Sequence, residues 1–230
     1  IMYKHLFIDL DDTLWDTFNN NKESLKEVYD IYKFDRSYAS FEVFFDRWFP
    51  YNNHLWDLYR QDKISKQQLV TKRFEHMVEP MGITDPDFIQ QLNKEFLQRS
   101  SSKSGLLPFA LDILHYLQDK YTLHILSNGF REVQYKKMDN SGLTSFFNKI
   151  ILSEDAGANK PSKDIFDYAL SITSANREEV LMIGDSWEAD IVGAHQSDIH
   201  QVWYNPHRLC PSDFTPTYEI TNLQELQNIL

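Results

Sequence analysis

The chain has 230 residues, a formal net charge of −11 at pH 7 and one cysteine, with 42% hydrophobic and 14% aromatic residues. The acidic balance argues against nucleic-acid binding through a basic face, and a lone cysteine excludes a disulfide within the chain. No apolar run approaches the ~20 residues that span a bilayer, and the first residues have the pattern of a strand rather than of a signal peptide. We therefore expect a cytoplasmic protein with no membrane partner.

The first predicted element is a short buried strand that ends in carboxylates. Residues 5–10 read His-Leu-Phe-Ile-Asp-Leu, and an apolar run this short is typical of a buried strand. Asp9 then lies at the carboxyl end of the strand, which is the edge where open parallel sheets bind ligands. Asp9 and Asp11 could hold a divalent cation or act as nucleophile and general acid. Alternatively, the stretch is only an acidic turn in which Asp12 or Thr13 caps the next helix.

The block from about residue 16 to about residue 102 is predicted to be helical throughout. Its apolar residues recur at helical spacing, Ser65 begins a capping box, and Asp85 stands as a cap before a proline. The four apolar stripes are Leu25, Val28, Tyr29 and Tyr32; Phe41, Phe44, Phe45, Trp48 and Phe49; Leu69, Val70, Phe74, Met77 and Met81; and Phe88, Ile89, Leu92 and Phe96. The helical spacing predicts that the block is a helical bundle. Packing in the core of this bundle accounts for most of the aromatic side chains.

Beyond a polar break at residues 100–105, helices and strands alternate. The predicted strands are residues 121–126, 149–152, 180–183 and 199–203, and a capping box at residues 221–224 opens the last helix. This alternation predicts an α/β fold, a doubly wound, Rossmann-like parallel sheet with right-handed crossovers. The first strand belongs to that sheet, so we expect a core domain of residues 1–15 and 103–230 and an inserted helical cap domain of residues 16–102. A cap that follows the acidic turn directly is expected to act as a lid.

Small polar clusters follow three of the predicted strands, and Lys160 lies in a loop after another strand. Because a parallel sheet brings the carboxyl ends of its strands to one edge, we expect these clusters to form a single site. Carboxylate oxygens suit Mg²⁺, whereas hydroxyl, amide and ammonium donors suit a phosphate dianion. The predicted magnesium ligands are Asp9, Asp11 and Asp185, and the predicted phosphate-binding residues are Ser127, Asn128 and Lys160.

Phosphoryl transfer requires this mixture of charges. An aspartate nucleophile must approach a phosphoryl group that carries up to two negative charges, and at ~4 Å the repulsion is several kcal/mol for an effective dielectric constant of about 20. Mg²⁺ between Asp9 and a phosphoryl oxygen, with Lys160 on the opposite side, would reverse the sign of this interaction. Since phosphoryl transfer needs mainly positioning and charge stabilisation, the predicted site is suited to it.

Four motifs together resemble those of the haloacid dehalogenase superfamily. In chain order they are Asp9-Leu10-Asp11-Asp12-Thr13-Leu14, Ser127-Asn128-Gly129, Lys160-Pro161, and Gly184-Asp185-Ser186 with Asp190. The resemblance implies that Asp9 is a nucleophile that forms an aspartyl-phosphate. It implies that Asp11 is the general acid for the leaving group and then the base for water. True dehalogenases lack an acid where Asp11 stands, so its presence argues for a phosphatase.

The same resemblance implies how magnesium and phosphate are held. Asp11 would bind the metal through its main-chain carbonyl and Asp185 through its carboxylate. Ser127 and Lys160 would hold the phosphoryl oxygens. The residues implied to support these ligands without touching the metal are Thr13 and Asp190, the latter by positioning Lys160 or a water on the metal.

A closer resemblance, to the bacterial pyrimidine 5′-nucleotidase branch, comes from the position of the helical insertion between the first two motifs and from several short stretches. These stretches are residues 53–60, Ile64, residues 73–74, residues 127–130 with Gln134, residues 153–155 and residues 165–170. The branch hydrolyses nucleoside monophosphates, including non-standard pyrimidine nucleotides, which implies a small-molecule phosphomonoester as partner. The candidate substrate-pocket residues are Asn53, Trp56, Tyr59, Arg73, Phe130 and Arg131, for which core packing or a solvated surface is the alternative.

Several alternative functions fit the same scaffold. A sugar-phosphate or phosphoglycolate phosphatase, or a phosphomutase, would use the same centre with a different cap. A non-catalytic protein that binds a phosphorylated ligand is an alternative of a different class, and the intact pair of Asp9 and Asp11 argues against it. A dehalogenase is disfavoured by Asp11. The oligomeric state is left open by the sequence.

Overall fold

The computed structural model describes residues 3–211 and 214–230. The chain forms two compact units. The first, which we call the sheet unit, comprises Ile1–Thr17 and Ser104–Leu230, and the second, the helical unit, comprises Phe18–Lys103. The predicted class, an α/β sheet domain with a helical segment inserted after its first strand, is confirmed.

The helical unit has an aromatic core. Its α-helices are α1 (Thr17–Ile31, which begins in the sheet unit), α2 (Phe41–Arg60), α3 (Lys66–Val78) and α4 (Pro86–Ser102). Their apolar stripes meet around the buried rings of Phe34, Phe44 and Phe74. The predicted caps are confirmed: Ser65 opens α3 with a reciprocal capping box, and Asp85 caps α4 ahead of its proline. Burial of these rings stabilises the unit.

The sheet unit is built on six parallel strands. They are β1 (His5–Ile8), β2 (Thr122–Ser127), β3 (Lys149–Leu152), β4 (Val180–Gly184), β5 (His200–Tyr204) and β6 (Tyr218–Ile220). Their order across the sheet is β3-β2-β1-β4-β5-β6, so the chain moves outward in one direction from β1 to β3 and in the other from β4 to β6. The switch point of this topology is beside β1, where doubly wound sheets bind their ligands.

The register aligns the carboxyl ends of the three central strands. Ile8 of β1 pairs with Ile125 of β2 on one side and with Ile183 of β4 on the other. Asp9 therefore follows β1 at nearly the same level at which β2 and β4 end. The polar residues that follow these strands are consequently brought to one edge of the sheet.

Helices cover both faces of the sheet. They are α5 (Ala110–Gln118), α6 (Arg131–Asn140), α7 (Ser153–Ala156), α8 (Lys163–Thr173) and α9 (Gly193–Gln196). Alternation along β1 separates two cores, because Leu6 and Ile8 pack with α5 whereas Phe7 packs with α8. Within the described residues, none of the helices has both the length and the apolar character needed to cross a membrane.

Two elements near the C-terminal end of the chain differ from the prediction. The strand β6 was not predicted, because three residues are too few to show an alternating pattern. The last helix is a 3₁₀ turn, Leu223–Asn228, and its capping box joins Asn222 to Glu225 rather than ending at Gln224. The box is shifted by one residue because Asn222, and not Thr221, is the N-cap.

His124 on β2 makes stability depend on pH. It is 1% exposed, and it pairs with Phe7 of β1 and Lys149 of β3 across the sheet. Burial, followed by the charges of His5 and Lys149, lowers the pKa of His124 to about 4. The folded pKa is below the unfolded value of about 6.5. The stability contribution is therefore complete above about pH 6.5 and is lost as the pH falls towards 4.

We expect the free energy of unfolding of the wild type to fall by about 2 kcal/mol more than that of His124→Gln between about pH 7 and pH 4.5. The reason is that the unfolded state alone takes up the proton in this range. Urea unfolding at several pH values measures the difference, with the exposed His54→Gln as the control. Identical pH slopes for the wild type and His124→Gln would contradict the expectation.

Candidate active site

The carboxylate of Asp9, at the carboxyl end of β1, accepts a hydrogen bond from a buried lysine. Nζ of Lys160 donates to Oδ1 of Asp9 at 2.7 Å. It also donates to the carbonyl oxygen of Leu126 and to Oδ1 of Asp190, both at 2.6 Å. All three N–H donors of this ammonium group are therefore used inside the protein. Lys160 neutralises one charge and fixes the orientation of Asp9.

The two carboxylates that pair with this lysine belong to a cluster of three. Oxygen atoms of Asp9, Asp185 and Asp190 all lie within 4.8 Å of one another. Three carboxylates and one ammonium leave a net charge of −2 when all are ionised. An uncompensated buried charge of this size is costly, and a divalent cation would neutralise it.

The pKa values of this cluster reflect first its burial and then the nearby negative charges. Burial, opposed by Lys160 and reinforced by Asp190 and Asp11, raises the pKa of Asp9 to about 7. Burial and the nearby charge of Asp9 raise the pKa of Asp185 well above its ordinary value. Hard oxygen donors with a net negative charge are the set that Mg²⁺ prefers. The residues present therefore fit a divalent cation.

Asp185, which follows β4, is held by hydrogen bonds of its carboxylate and of its backbone. The hydroxyl of Thr13 donates to its Oδ1 at 3.1 Å, and the backbone N–H of Asp185 donates back to that hydroxyl at 3.1 Å. The indole N–H of Trp203 donates to the carbonyl oxygen of Asp185 at 2.9 Å. Thr13 thus orients one carboxylate oxygen and leaves the other available as a ligand.

Asp190 lies on a π-helical turn, Trp187–Val192, and is fully buried. Its Oδ1 accepts from Lys160, and its Oδ2 accepts from the backbone N–H of Ser186 at 3.1 Å. Gly184 leaves the space for this carboxylate, because a Cβ at that position would lie 2.2 Å from Oδ2 of Asp190. Single π-helical turns are often found at functional sites.

The hydroxyl of Ser127, at the end of β2, is oriented by two donors. Its Oγ accepts from the backbone N–H of Gly129 at 3.1 Å and from Nε2 of Gln134 at 2.8 Å. Both interactions use lone pairs of the oxygen, so the hydroxyl hydrogen remains available to an acceptor. Ser127 is 1% exposed.

Asn128 makes a two-point contact with the backbone of Lys160. Its Nδ2 donates to the carbonyl oxygen of Lys160 at 2.9 Å, and its Oδ1 accepts from the N–H of Lys160 at 2.8 Å. The side chain therefore fixes the loop that carries the lysine. Direct contact of Asn128 and Lys160 with phosphate stays a prediction, because the bonds they make here are internal.

The carboxylate of Asp11 accepts hydrogen bonds from other donors than the carboxylate of Asp9 does. Lys137 donates to its Oδ1 at 2.6 Å, and Gln134 donates to its Oδ2 at 2.7 Å. Burial acts to raise the pKa of Asp11, but Lys137, Gln134 and Thr17 outweigh it and hold this pKa below its ordinary value. Among the described residues, Asp190 rather than Asp11 is the third carboxylate of the cluster. A metal contact of Asp11 would therefore use its main-chain carbonyl.

Lys137 was not among the predicted site residues. The signal that could have found it is the inward face of α6, where Gln134 and Lys137 are buried at helical spacing beside Val133 and Met138. Polar residues at core-facing positions are unfavourable unless they serve a function. A helix that follows the Ser127 cluster and carries polar residues on its buried face therefore indicates a functional site.

The candidate pocket residues of the sheet unit are Phe130 and Arg131. Phe130 occupies the N-cap position of α6 without a capping bond from its side chain, and it is 2% exposed. The guanidinium of Arg131 is half-exposed and pairs with Asp155, while its backbone N–H donates to Glu154 at 2.7 Å. Both residues stand next to the Ser127 cluster in the chain, and their contact with substrate stays a prediction.

The remaining candidate pocket residues belong to the helical unit. Asn53 is exposed, and the half-buried rings of Trp56 and Tyr59 meet edge to face at 5.7 Å. Arg73 is 2% exposed, bonds to the side chain of Asn93 and lies 4.9 Å from the ring centroid of Phe96. Burial lowers the pKa of Arg73 to about 9. Its contacts are those of a packed side chain, so Arg73 is the least suited of these four to bind substrate.

Comparison with known proteins relates the chain to enzymes of one family. It is 33% identical over 235 residues to pyrimidine 5′-nucleotidase PynA of Streptococcus pneumoniae, covering all of this chain and 96% of the relative. It is 31% identical over 227 residues to pyrimidine 5′-nucleotidase YjjG of Escherichia coli, covering 98% of this chain and 96% of the relative.

A solved structure shares the fold at full length. The crystal structure of the HAD-hydrolase YfnB of Bacillus subtilis, bound to magnesium, superposes with a TM-score of 0.89 at 30% identity and covers 100% of this chain and 99% of that chain. The model of the family described as haloacid dehalogenase-like hydrolase matches residues 6–204. The predicted family is confirmed, and the chain belongs to the haloacid dehalogenase-like hydrolases.

Proposed function

We propose that this hydrolase is a magnesium-dependent phosphomonoesterase in which Asp9 is the nucleophile. The observation that carries the proposal is the cluster of Asp9, Asp185 and Asp190 with Lys160 at the carboxyl edge of the sheet, which has an excess of two negative charges when all four groups are ionised. Both the donor set and the charge are suited to a metal that neutralises phosphate. The magnesium in the structure of YfnB is a further support.

Binding of the ester would use groups that are already oriented. The free hydroxyl hydrogen of Ser127 can donate to a phosphoryl oxygen, and Lys160 offsets the charge of Asp9 as the dianion approaches. Magnesium would be held by Asp9, Asp185 and the main-chain carbonyl of Asp11. Its positive charge would offset the repulsion between Asp9 and the phosphate dianion, which is several kcal/mol at about 4 Å.

In the first chemical step, a carboxylate oxygen of Asp9 attacks phosphorus and the ester P–O bond breaks. Asp11 gives a proton to the leaving oxygen, so the alcohol departs neutral and Asp9 carries the phosphoryl group. Asp11 must be protonated at this moment, and the approaching dianion favours that state because a nearby negative charge raises a carboxyl pKa.

In the second step, water attacks the phosphorus of the aspartyl-phosphate. Asp11, now ionised, takes a proton from this water, the bond between phosphorus and Asp9 breaks, and inorganic phosphate is released. The hydrogen bonds from Lys137 and Gln134 stabilise the ionised form of Asp11, which is the form that this step needs.

We further propose that the substrates are nucleoside monophosphates, with pyrimidine nucleotides preferred. The support is the full-length similarity to PynA and YjjG, which are both pyrimidine 5′-nucleotidases. Within the helical unit, Trp56 and Tyr59 stay predicted pocket residues. Exposed and half-buried aromatic rings are suited to stacking on a base.

Phosphate release from a panel of esters, with magnesium and with a chelator, tests the proposal. The panel contains pyrimidine and purine monophosphates, a sugar phosphate and phosphoglycolate. We expect magnesium to raise the rate by about 10²-fold or more, with pyrimidine monophosphates hydrolysed fastest. Preference for another ester would overturn the substrate proposal only, whereas equal rates in chelator would overturn the metal dependence.

A further inference from the structure

Two buried side chains of α6 hold both oxygens of the Asp11 carboxylate. Nζ of Lys137 donates to Oδ1 at 2.6 Å, and Nε2 of Gln134 donates to Oδ2 at 2.7 Å. The hydroxyl of Thr17 adds a third donor to Oδ1 at 3.1 Å. Donors on both oxygens restrict rotation of the carboxylate, so its direction is set by α6.

Lys137 occupies a position that is unusual for a lysine. The residue is 6% exposed, and its Nζ lies 4.1 Å from the ring centroid of the fully buried Trp15. Asp11 and the face of Trp15 stabilise the buried ammonium. Because desolvation of both ions offsets much of what such a pair gains, the pair adds little to folding stability. A role in orienting Asp11 therefore explains its burial better than a role in stability.

Gln134 connects Asp11 to the hydroxyl of Ser127. Its Nε2 donates to Oγ of Ser127 at 2.8 Å as well as to Asp11, and the side chain is fully buried. Gly129 provides the room, since a Cβ there would lie 2.2 Å from Cδ and Nε2 of Gln134. One amide group thus fixes the carboxylate relative to the hydroxyl.

We infer that Lys137 and Gln134 are positioning residues that direct the carboxylate of Asp11 at the leaving oxygen of the ester. Gln134 also sets the position of Asp11 relative to the phosphoryl group that Ser127 would hold. The inference rests on the proposed function, because it assigns how the general acid of that reaction is oriented. Both residues act through Asp11, and neither is proposed to contact the substrate.

A role in positioning Asp11 and a purely structural role predict different losses of activity on esters with different leaving groups. When the P–O bond breaks, a nucleoside leaves as a basic alkoxide that needs the proton of Asp11, whereas p-nitrophenolate is stable without it. Misdirecting Asp11 therefore slows cleavage of a nucleotide far more than cleavage of p-nitrophenyl phosphate. A variant that is partly unfolded loses both activities by the same factor.

The test compares kcat/KM for uridine 5′-monophosphate and p-nitrophenyl phosphate, since this parameter reports the step that releases the alcohol. The variants are Lys137→Met and Gln134→Met, and the matched control is Lys136→Met, an exposed lysine on the same helix. We expect each of the two variants to lose about 30-fold on the nucleotide and less than about 3-fold on p-nitrophenyl phosphate. Asp11→Asn should show the same pattern with a larger loss, of about 10²-fold or more.

Each result decides between the alternatives. Equal losses on both substrates, or no loss on either, would overturn the inference while leaving the proposed function in place. A wild type that hydrolyses neither ester would overturn the proposed function and the inference with it. Melting temperatures of the three lysine and glutamine variants are measured alongside, and only the ratio of the two kcat/KM values counts as support.

Discussion

Asp9→Asn is expected to lower phosphomonoester hydrolysis by about 10⁴-fold or more, because the amide cannot attack phosphorus. The fold should be preserved, since asparagine has nearly the same shape as aspartate and can still accept from Lys160. Removal of one of three clustered negative charges also relieves repulsion with Asp185. We therefore expect a melting temperature equal to or above that of the wild type.

Phosphate release and thermal unfolding of the same preparation measure both parts of this expectation. Asp119→Asn is the matched control, because Asp119 is exposed at the end of α5 and precedes β2, whose opposite end carries Ser127. A variant of Asp9 that is folded and retains a tenth of the wild-type rate would exclude Asp9 as the nucleophile.

Lys160→Met is expected to affect both stability and activity. Lys160 donates to Asp9, Asp190 and the carbonyl oxygen of Leu126, so its loss leaves buried carboxylates without their cation. Breaking a buried pair in this way costs about 3 kcal/mol or more of the free energy of unfolding. Hydrolysis should fall by about 10³-fold, because Asp9 loses both its orientation and the positive charge that favours the approach of phosphate.

Magnesium provides a second measurement on this variant. Since the cluster loses its ammonium group, a divalent cation should stabilise Lys160→Met more than it stabilises the wild type. Urea unfolding with and without magnesium measures this difference, and Lys163→Met, an exposed lysine at the start of α8, is the control. An unfolding free energy within about 0.5 kcal/mol of the wild type would show that Lys160 does not neutralise the cluster.

The architecture could be predicted because the local sequence patterns and the rules of parallel-sheet topology indicate the same fold. The apolar runs that end at Asp9, Ser127 and Asp185 are buried strands, and their alignment at one edge follows from parallel pairing. The cap of Ser65 follows from local chemistry alone. β6 depends on pairing with β5, which no pattern within three residues reveals.

The direction of each side chain could not be predicted from the sequence. Motif spacing predicts Asp11 beside Asp9, but it does not reveal that Lys137 and Gln134 of α6 donate to the two oxygens of its carboxylate. Spacing predicts Asn128 as a phosphate-binding residue, but it does not reveal the two hydrogen bonds of its amide to the backbone of Lys160. These contacts depend on helix rotation and on rotamers, which are properties of the packed structure.

The stereochemical course at phosphorus tests the central claim most directly. A phosphorothioate monoester made chiral at phosphorus by sulfur and two oxygen isotopes is hydrolysed in water that carries the third oxygen isotope, and the configuration of the released thiophosphate is determined. Transfer to Asp9 followed by transfer to water comprises two in-line displacements, each of which inverts phosphorus. The account predicts net retention of configuration. Net inversion would show that water attacks the ester directly, and it would contradict the role of Asp9 as the nucleophile.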